Sequence, residues 1–211
     1  MFIGLVGKSC SGKNYVEDIL HKQGYVVLDL DKLCHSLLEK VEVISSVVQA
    51  FGPEVFQNET QQISRQALAK VIYENPSKRK DLENILYPKL KDEILAIKAS
   101  LNPNKTIFLN GALLRRARLD ELCTAIIYVD APYEVRLERA LVRDSITEEI
   151  FEKREAAQGD VDFRDNEYKA PVWIVSNGKD IKEPELVRQI NGICDRINSI
   201  SQEGNENNEE E

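Results

Sequence analysis

Near the start of the chain, Gly7-Lys8-Ser9-Cys10-Ser11-Gly12-Lys13 has the spacing G-x-x-x-x-G-K. An apolar run, Phe2 to Val6, precedes it, and Val16, Ile19 and Leu20 follow on one helical face. A strand, a glycine-bearing loop and a helix in that order make a phosphate cradle. Backbone N–H groups turn into such a loop, its glycines allow close approach, and the helix N-terminus adds positive potential. Lys13 is placed to reach the β- and γ-phosphates of a bound triphosphate. Cys10, Ser11, Gly12, Lys13, Asn14 and Tyr15 are the expected contacts for ATP. The position after the lysine ordinarily carries Ser or Thr, whose hydroxyl holds Mg²⁺. Here it is Asn14, the candidate metal ligand. Its amide oxygen is hard enough for Mg²⁺ but sits on a longer side chain.

A second set of charges could act on what the cradle holds. Asp29 and Asp31 close an apolar run that begins at Tyr25. Ligands of open α/β sheets bind beyond the carboxyl ends of strands, so both acids are candidates for the site. Asp31 either takes a proton from a substrate hydroxyl or caps a helix beginning at Lys32. Arg136, Arg139 and Arg143, spaced three and four apart, share one helix face. They either neutralise a transferring phosphoryl group or form a solvated face paired with Glu134 and Glu138. Arg154 and Arg164 bracket the start of a polar stretch, and Arg115, Arg116 and Arg118 form a further basic cluster. The two histidines, His21 and His35, have no partner pattern, which argues against a histidine-based triad or metal site.

These groups need a scaffold, and the hydrophobic pattern supplies one. Strands are expected at 2–6, 25–29, 106–109, 125–129 and 172–175, with helices between them. That alternation predicts an α/β fold with a doubly wound, five-stranded parallel sheet. The stretch 41–101 has no convincing strand and reads as an inserted helical lobe. Within it Ser64 caps one helix, and Pro76 opens a longer one that Pro88 should kink or break. Ser145 and Glu148 have capping-box spacing. Residues 159–169 are polar and read as a mobile lid, and 201–211 as a disordered acidic tail on a single domain spanning 1–200.

Composition narrows the partners. The chain has 211 residues and a formal net charge of −8, and the five glutamates of the last eleven residues account for five of those charges. The mildly acidic body argues against nucleic acid as a partner. No apolar run approaches the ~18 residues of a membrane span, and the N-terminus lacks the charged start of a secretory signal. Four scattered cysteines without a C-x-x-C pair fit a reducing, cytoplasmic setting.

The ordered set of motifs resembles the dephospho-CoA kinase family of P-loop kinases over roughly 2–200. After the phosphate loop come Asp29-Leu30-Asp31, the Phe51-Gly52-Pro53-Glu54 turn and Tyr87-Pro88-Lys89-Leu90, which stands where the family usually has His-Pro-Leu-Ile. Val129-Asp130-Ala131-Pro132, Arg143-Asp144, Arg154-Glu155-Ala156-Ala157-Gln158 and a last strand ending at Asn177-Gly178 complete the series. The resemblance implies transfer of the ATP γ-phosphoryl to the ribose 3′-hydroxyl of dephospho-CoA, the last step of coenzyme A biosynthesis, with Mg²⁺. It implies Asp31 as catalytic base, Lys13 on the phosphates, Arg143 and Arg139 at the transition state, and Asn177 beside the adenine. Asp29, Tyr87, Lys89, Leu114, Arg136 and Arg154 fall at substrate-side positions, and the helical lobe would grip the pantetheine-bearing substrate. A monomer or weak homo-oligomer is expected. Four places depart from the pattern. They are Asn14, Tyr87 for a histidine, Asn110-Gly111-Ala112 for Asp-x-Pro before Leu113-Leu114, and Lys8-Ser9 for a glycine and an apolar residue. Two rivals stay open: another small-molecule or nucleotide kinase of the same fold, and a weakly active nucleotide-binding regulator.

Overall fold

The computed structural model describes residues 1–164 and 167–206. Contacts divide the chain into two compact units, Met1–Leu28 with Asn104–Glu211, and Asp29–Pro103.

In chain order, β1 (Phe2–Val6) leads through the glycine loop into α1 (Lys13–Lys22), followed by β2 (Val26–Asp29). The second unit then runs α2 (Leu30–Leu37), α3 (Val41–Phe51), a short hairpin of β3 (Phe56–Gln57) and β4 (Gln62–Ile63), α4 (Arg65–Glu74) and α5 (Pro76–Ser100). The chain returns as β5 (Ile107–Asn110), β6 (Ala125–Asp130), α6 (Tyr133–Arg143), α7 (Glu148–Ala157), β7 (Val172–Ser176) and α8 (Glu183–Glu206).

The expected five strands form one parallel sheet in the order β2-β5-β1-β6-β7. β1 is central and wholly buried, so it reads as a continuous apolar run. Ile3, Leu5, Ile127 and Val129 pack against Val16, Ile19 and Leu20 of α1 and Leu186, Ile190 and Ile193 of α8. Gly4 admits the Leu114 side chain to the sheet, because a Cβ there would lie 2.5 Å from Leu114 Cδ2. Among the described residues no helix is long and apolar enough to cross a membrane.

Several local expectations are corrected. Pro88 lies inside α5, which continues unbroken for 25 residues. The carbonyl it leaves without a partner belongs to the exposed Asn84, where water can reach it, while Leu82, Leu86, Leu90 and Ile94 hold the buried stripe on both sides. The start of α5 is as expected, with Asn75 Oδ1 accepting from the amides of Ser77 and Lys78 ahead of Pro76. β3 and β4 are two residues each, too short for an alternating pattern to betray them. Ser145 does not cap α7. It adopts φ +50, and Thr147 Oγ1 accepts from the Ile150 amide instead. The helix α8 extends to Glu206 beyond the expected end of the domain, and the rest of the acidic tail, 207–211, lies outside the described residues.

Candidate active site

The glycine loop joins the carboxyl end of β1 to the N-terminus of α1. Gly12 has φ +100, and a Cβ there would meet Asn177 Nδ2 at 2.0 Å, so both backbone and space require glycine. Cys10 takes φ +59, a cost of about 1 kcal/mol, and its side chain is buried with Ala140 and Phe151. That apolar anchor ties the middle of the loop to α6 and α7.

The loop carbonyls are held by groups from other elements. Lys13 Nζ donates to Gly7 O at 2.7 Å and Lys8 O at 3.3 Å. Arg139 donates to Cys10 O and Ser11 O, both at 3.3 Å, and to Asn177 O at 3.0 Å. Asn177 Nδ2 donates to Ser11 O at 2.7 Å. A peptide's N–H points opposite its C=O, so holding the carbonyl of Ser11 outward turns the Gly12 amide the other way. The amides of Cys10 and Gly12 have no acceptor among the described residues, which leaves them as donors for an anion.

One open cavity of about 510 Å³ gathers Cys10, Gly12, Tyr15, Arg139, Arg143 and Asn177. Six of the residues singled out from the sequence therefore line one space. Tyr15 donates from its hydroxyl to Glu183 at 2.7 Å. Arg143 pairs with Asp144 at 2.7 Å, which Arg154 also reaches at 2.6 Å. The bond from Arg143, aided by Arg154, holds the Asp144 carboxyl below its usual range. Asn14 is exposed at the first turn of α1.

Other expected site residues are placed differently. Leu114 is fully buried against β1 and is a core residue. Arg136 is 5 % exposed, and its fork is taken by Glu155. Asp29, not Asp31, caps α2: its Oδ1 accepts from the Lys32 amide at 3.0 Å. Asp31 lies in the first turn of that helix. In the second unit, Tyr87 and Lys89 are half-buried on α5, and Lys89 lines a cavity of about 240 Å³ with Lys40 and Asp92. The cluster Arg115, Arg116 and Arg118 is spent within the protein, on Glu167 O, Asp160 and Glu121.

Sequence reasoning missed a buried polar pair beside the loop. Asn110, at the end of β5 and in register with Leu5, donates from Nδ2 to the Glu17 carboxylate. Glu17 is 9 % exposed and has His21 at 3.5 Å. The signal was its position directly after Val16 and three residues before Leu20, on the inward side of α1.

Of the stretch 159–169, residues 165 and 166 lie outside the described residues, and several of the others are less free than their polarity suggested. Val161, Asp162 and Tyr168 are buried, and the Tyr168 hydroxyl donates to Val161 O at 2.8 Å. Asp162 pairs with Lys8 of the glycine loop at 3.2 Å and with Arg164 at 2.8 Å. Burial alone would raise the Asp162 carboxyl, but bonds from the Arg164 side chain and backbone and from Lys8 outweigh it and hold it at about 2. Its unfolded value is about 3.9. A depressed carboxylate stabilises the fold above its unfolded pKa and loses that contribution as pH falls toward the folded one. Chemical denaturation should therefore find wild type about 1–2 kcal/mol more stable than Asp162→Asn at pH 7. The gap should close between roughly pH 4 and pH 2, and a gap that persists at pH 2 would refute the assignment.

Comparison with known proteins follows the same lines. The protein-family model described as dephospho-CoA kinase matches residues 1–183. The dephospho-CoA kinase of Fusobacterium nucleatum is 29% identical over 197 residues, covering 93% of this chain and 98% of the relative. That of Aquifex aeolicus is 33% identical over 182 residues, covering 86% and 90%. Among solved structures, a Thermus thermophilus protein superposes with a TM-score of 0.78 at 25% identity, over 92% of this chain and 95% of the other. The dephospho-CoA kinase of Campylobacter jejuni superposes with a TM-score of 0.63 at 21% identity, over 93% and 96%.

Proposed function

The chain belongs to the dephospho-CoA kinase family, and from that premise we propose how its own residues carry the reaction. The enzyme moves the γ-phosphoryl of ATP to the ribose 3′-hydroxyl of dephospho-CoA. The bond between the γ-phosphorus and its bridging oxygen breaks, the 3′-oxygen bonds to phosphorus, and the hydroxyl proton must leave. Little covalent chemistry falls to the protein, so positioning and charge stabilisation dominate.

The observation that carries the assignment of residues is a cavity that adjoins the glycine loop and gathers Arg139, Arg143 and Asn177 with it. The free amides of Cys10 and Gly12 would hold phosphate oxygens, with Lys13 adding charge at the β- and γ-phosphates. The base and ribose of ATP would lie in the cavity beside Tyr15 and Asn177. Arg143, half-exposed over this space, would meet charge on the transferring group. Arg139 is committed to the loop carbonyls and would act by shaping the loop. Asp31, two residues past the carboxyl end of β2, would accept the hydroxyl proton. Tyr87 and Lys89 of the second unit would contact the acceptor. The test is ATP consumption on adding dephospho-CoA, compared with adenylate and with other small acceptors. Equal or greater turnover with adenylate would overturn the acceptor.

Magnesium fits the residues present. Among the described residues no cluster of three His, Cys, Asp or Glu could cage a metal. Mg²⁺ in such sites is held mostly by phosphate oxygens and water with one or two protein oxygens, and the exposed Asn14 amide can offer one. When bound, the ion would neutralise charge on the β- and γ-phosphates. The longer Asn side chain should hold it less well than a hydroxyl. Asn14→Ser is expected to lower the Mg²⁺ concentration needed for half-maximal rate by a few-fold. No change, or a rise, would mean that the loop is adapted to the amide.

A further inference from the structure

Arg136 shares a helix face with Arg139 and Arg143 but, unlike them, does not line the cavity beside the glycine loop. It is 5 % exposed, and its cation lies 5.8 Å from the Phe151 ring centroid and 5.9 Å from that of Tyr133. Its Nε donates to Ala131 O at 3.0 Å, and both terminal nitrogens bond the Glu155 carboxylate, one of them at 2.8 Å. The same fork also reaches Ser9 O at 3.4 Å. One turn further along from Glu155, Gln158 Oε1 accepts from the Ser9 amide at 2.7 Å. Ser9 is thus gripped at both ends by the C-terminal turn of α7, its N–H by Gln158 and its C=O by the arginine that Glu155 holds.

The grip on Ser9 O has a consequence one bond away. The carbonyl of Ser9 and the amide of Cys10 belong to one planar trans unit and point opposite ways. Drawing the Ser9 oxygen toward Arg136 therefore turns the Cys10 N–H away from α6 and α7. That amide has no acceptor among the described residues. Arg139 and Asn177 do the same for the Gly12 amide through Ser11 O. Arg136 is too enclosed to touch a substrate, yet it sets the direction of a donor that can.

We propose that Arg136, held by Glu155, is a positioning residue for the phosphates of ATP, aiming the Cys10 amide through Ser9 O. This rests on the reading of the loop as the ATP site. A buried ion pair also has a purely structural role, and removing one partner strands the other. The decisive variant therefore removes both, Arg136→Met with Glu155→Leu, which keeps the space filled by apolar groups. Lys8, 3.9 Å from Glu155, keeps its closer partner Asp162.

Thermal unfolding of the double variant is expected within a few degrees of wild type. Titration calorimetry should find ATP and inorganic triphosphate bound roughly tenfold more weakly, with adenosine and dephospho-CoA unchanged. A structural pair would move stability and leave absent this split between ligands that place phosphates in the glycine loop (ATP, triphosphate) and ligands that do not (adenosine, dephospho-CoA). ATP affinity within twofold of wild type in the folded double variant overturns the proposal. Should that variant not fold, Arg136→Lys serves in its place. A single ammonium cannot bridge the Glu155 fork and Ser9 O together, so the same selective weakening is expected and its absence is equally decisive. Failure of the wild-type protein to bind ATP would instead strike the ATP site itself, and the proposal with it.

Discussion

Replacing Lys13 with alanine is expected to cut turnover by at least ~10²–10³-fold, the usual cost of one charged or hydrogen-bonding group removed from a transition state, and to weaken ATP binding as well. Lys13 is the lysine of the loop motif, and the other loop cation, Lys8, is drawn aside by Asp162 at 3.2 Å. No second amine in the loop is therefore placed to replace it. The substitution also removes the bonds from Nζ to Gly7 O and Lys8 O. Lys8 is half-buried, where water can take over its carbonyl, and losing one bond to the carbonyl of the buried Gly7 costs about 1–3 kcal/mol, so the fold should survive. The measurement is steady-state kinetics with saturating dephospho-CoA, beside thermal unfolding. Wild-type turnover in a folded Lys13→Ala protein would show that the loop serves only as a turn.

Asp31→Asn should lower turnover by ~10²–10⁴-fold, the range typical of a general base, while ATP binding stays near wild type. Two roles competed for this residue, proton acceptor and helix cap. The cap is Asp29, whose carboxylate receives the Lys32 amide, so α2 keeps its N-terminal bond when Asp31 is changed. What α2 loses is a negative charge in its first turn, worth about 0.3–1 kcal/mol against the helix dipole. An amide of the same shape retains hydrogen-bonding capacity and loses only the ability to take the proton. Kinetics and unfolding thus separate the outcomes. If turnover remains within a few-fold of wild type, the base lies elsewhere, with Asp29 the next candidate. The matching change there, Asp29→Asn, preserves the cap because Asn is itself a good one.

The two experiments probe different units of the chain. Lys13 belongs to the sheet-bearing unit and Asp31 to the inserted one. Loss of ATP binding in Lys13→Ala and its retention in Asp31→Asn would assign the nucleotide phosphates to the first and proton removal to the second. Equal loss of ATP binding in both would contradict that division.

Much of the scaffold was determined by the sequence alone, because its signals are local. The five strands are short apolar runs bounded by turn residues. The loop is a fixed spacing between a strand and a helix, and Pro76 opens α5 by a rule that concerns the first helical position alone. Tertiary packing decided the points where a local rule has more than one solution. Pro88 passes through α5 because the carbonyl it orphans belongs to the exposed Asn84 and the buried stripe continues past it to Leu90 and Ile94. Thr147 caps α7 two residues after the better-looking Ser145. The division of labour among the arginines was also invisible in their spacing. One helix face presents Arg136, Arg139 and Arg143 alike, yet they differ in what lies above them. Arg136 meets Glu155 and is buried, Arg139 meets the loop carbonyls, and only Arg143, paired to Asp144 at the rim of the cavity, is left exposed. Helical periodicity fixes which side chains share a face. Which charge, carbonyl or open space each one finds there depends on other elements, from α7, which brings Glu155, to the loop at Ser9–Ser11 more than a hundred residues away in the chain, and only the folded protein brings those together.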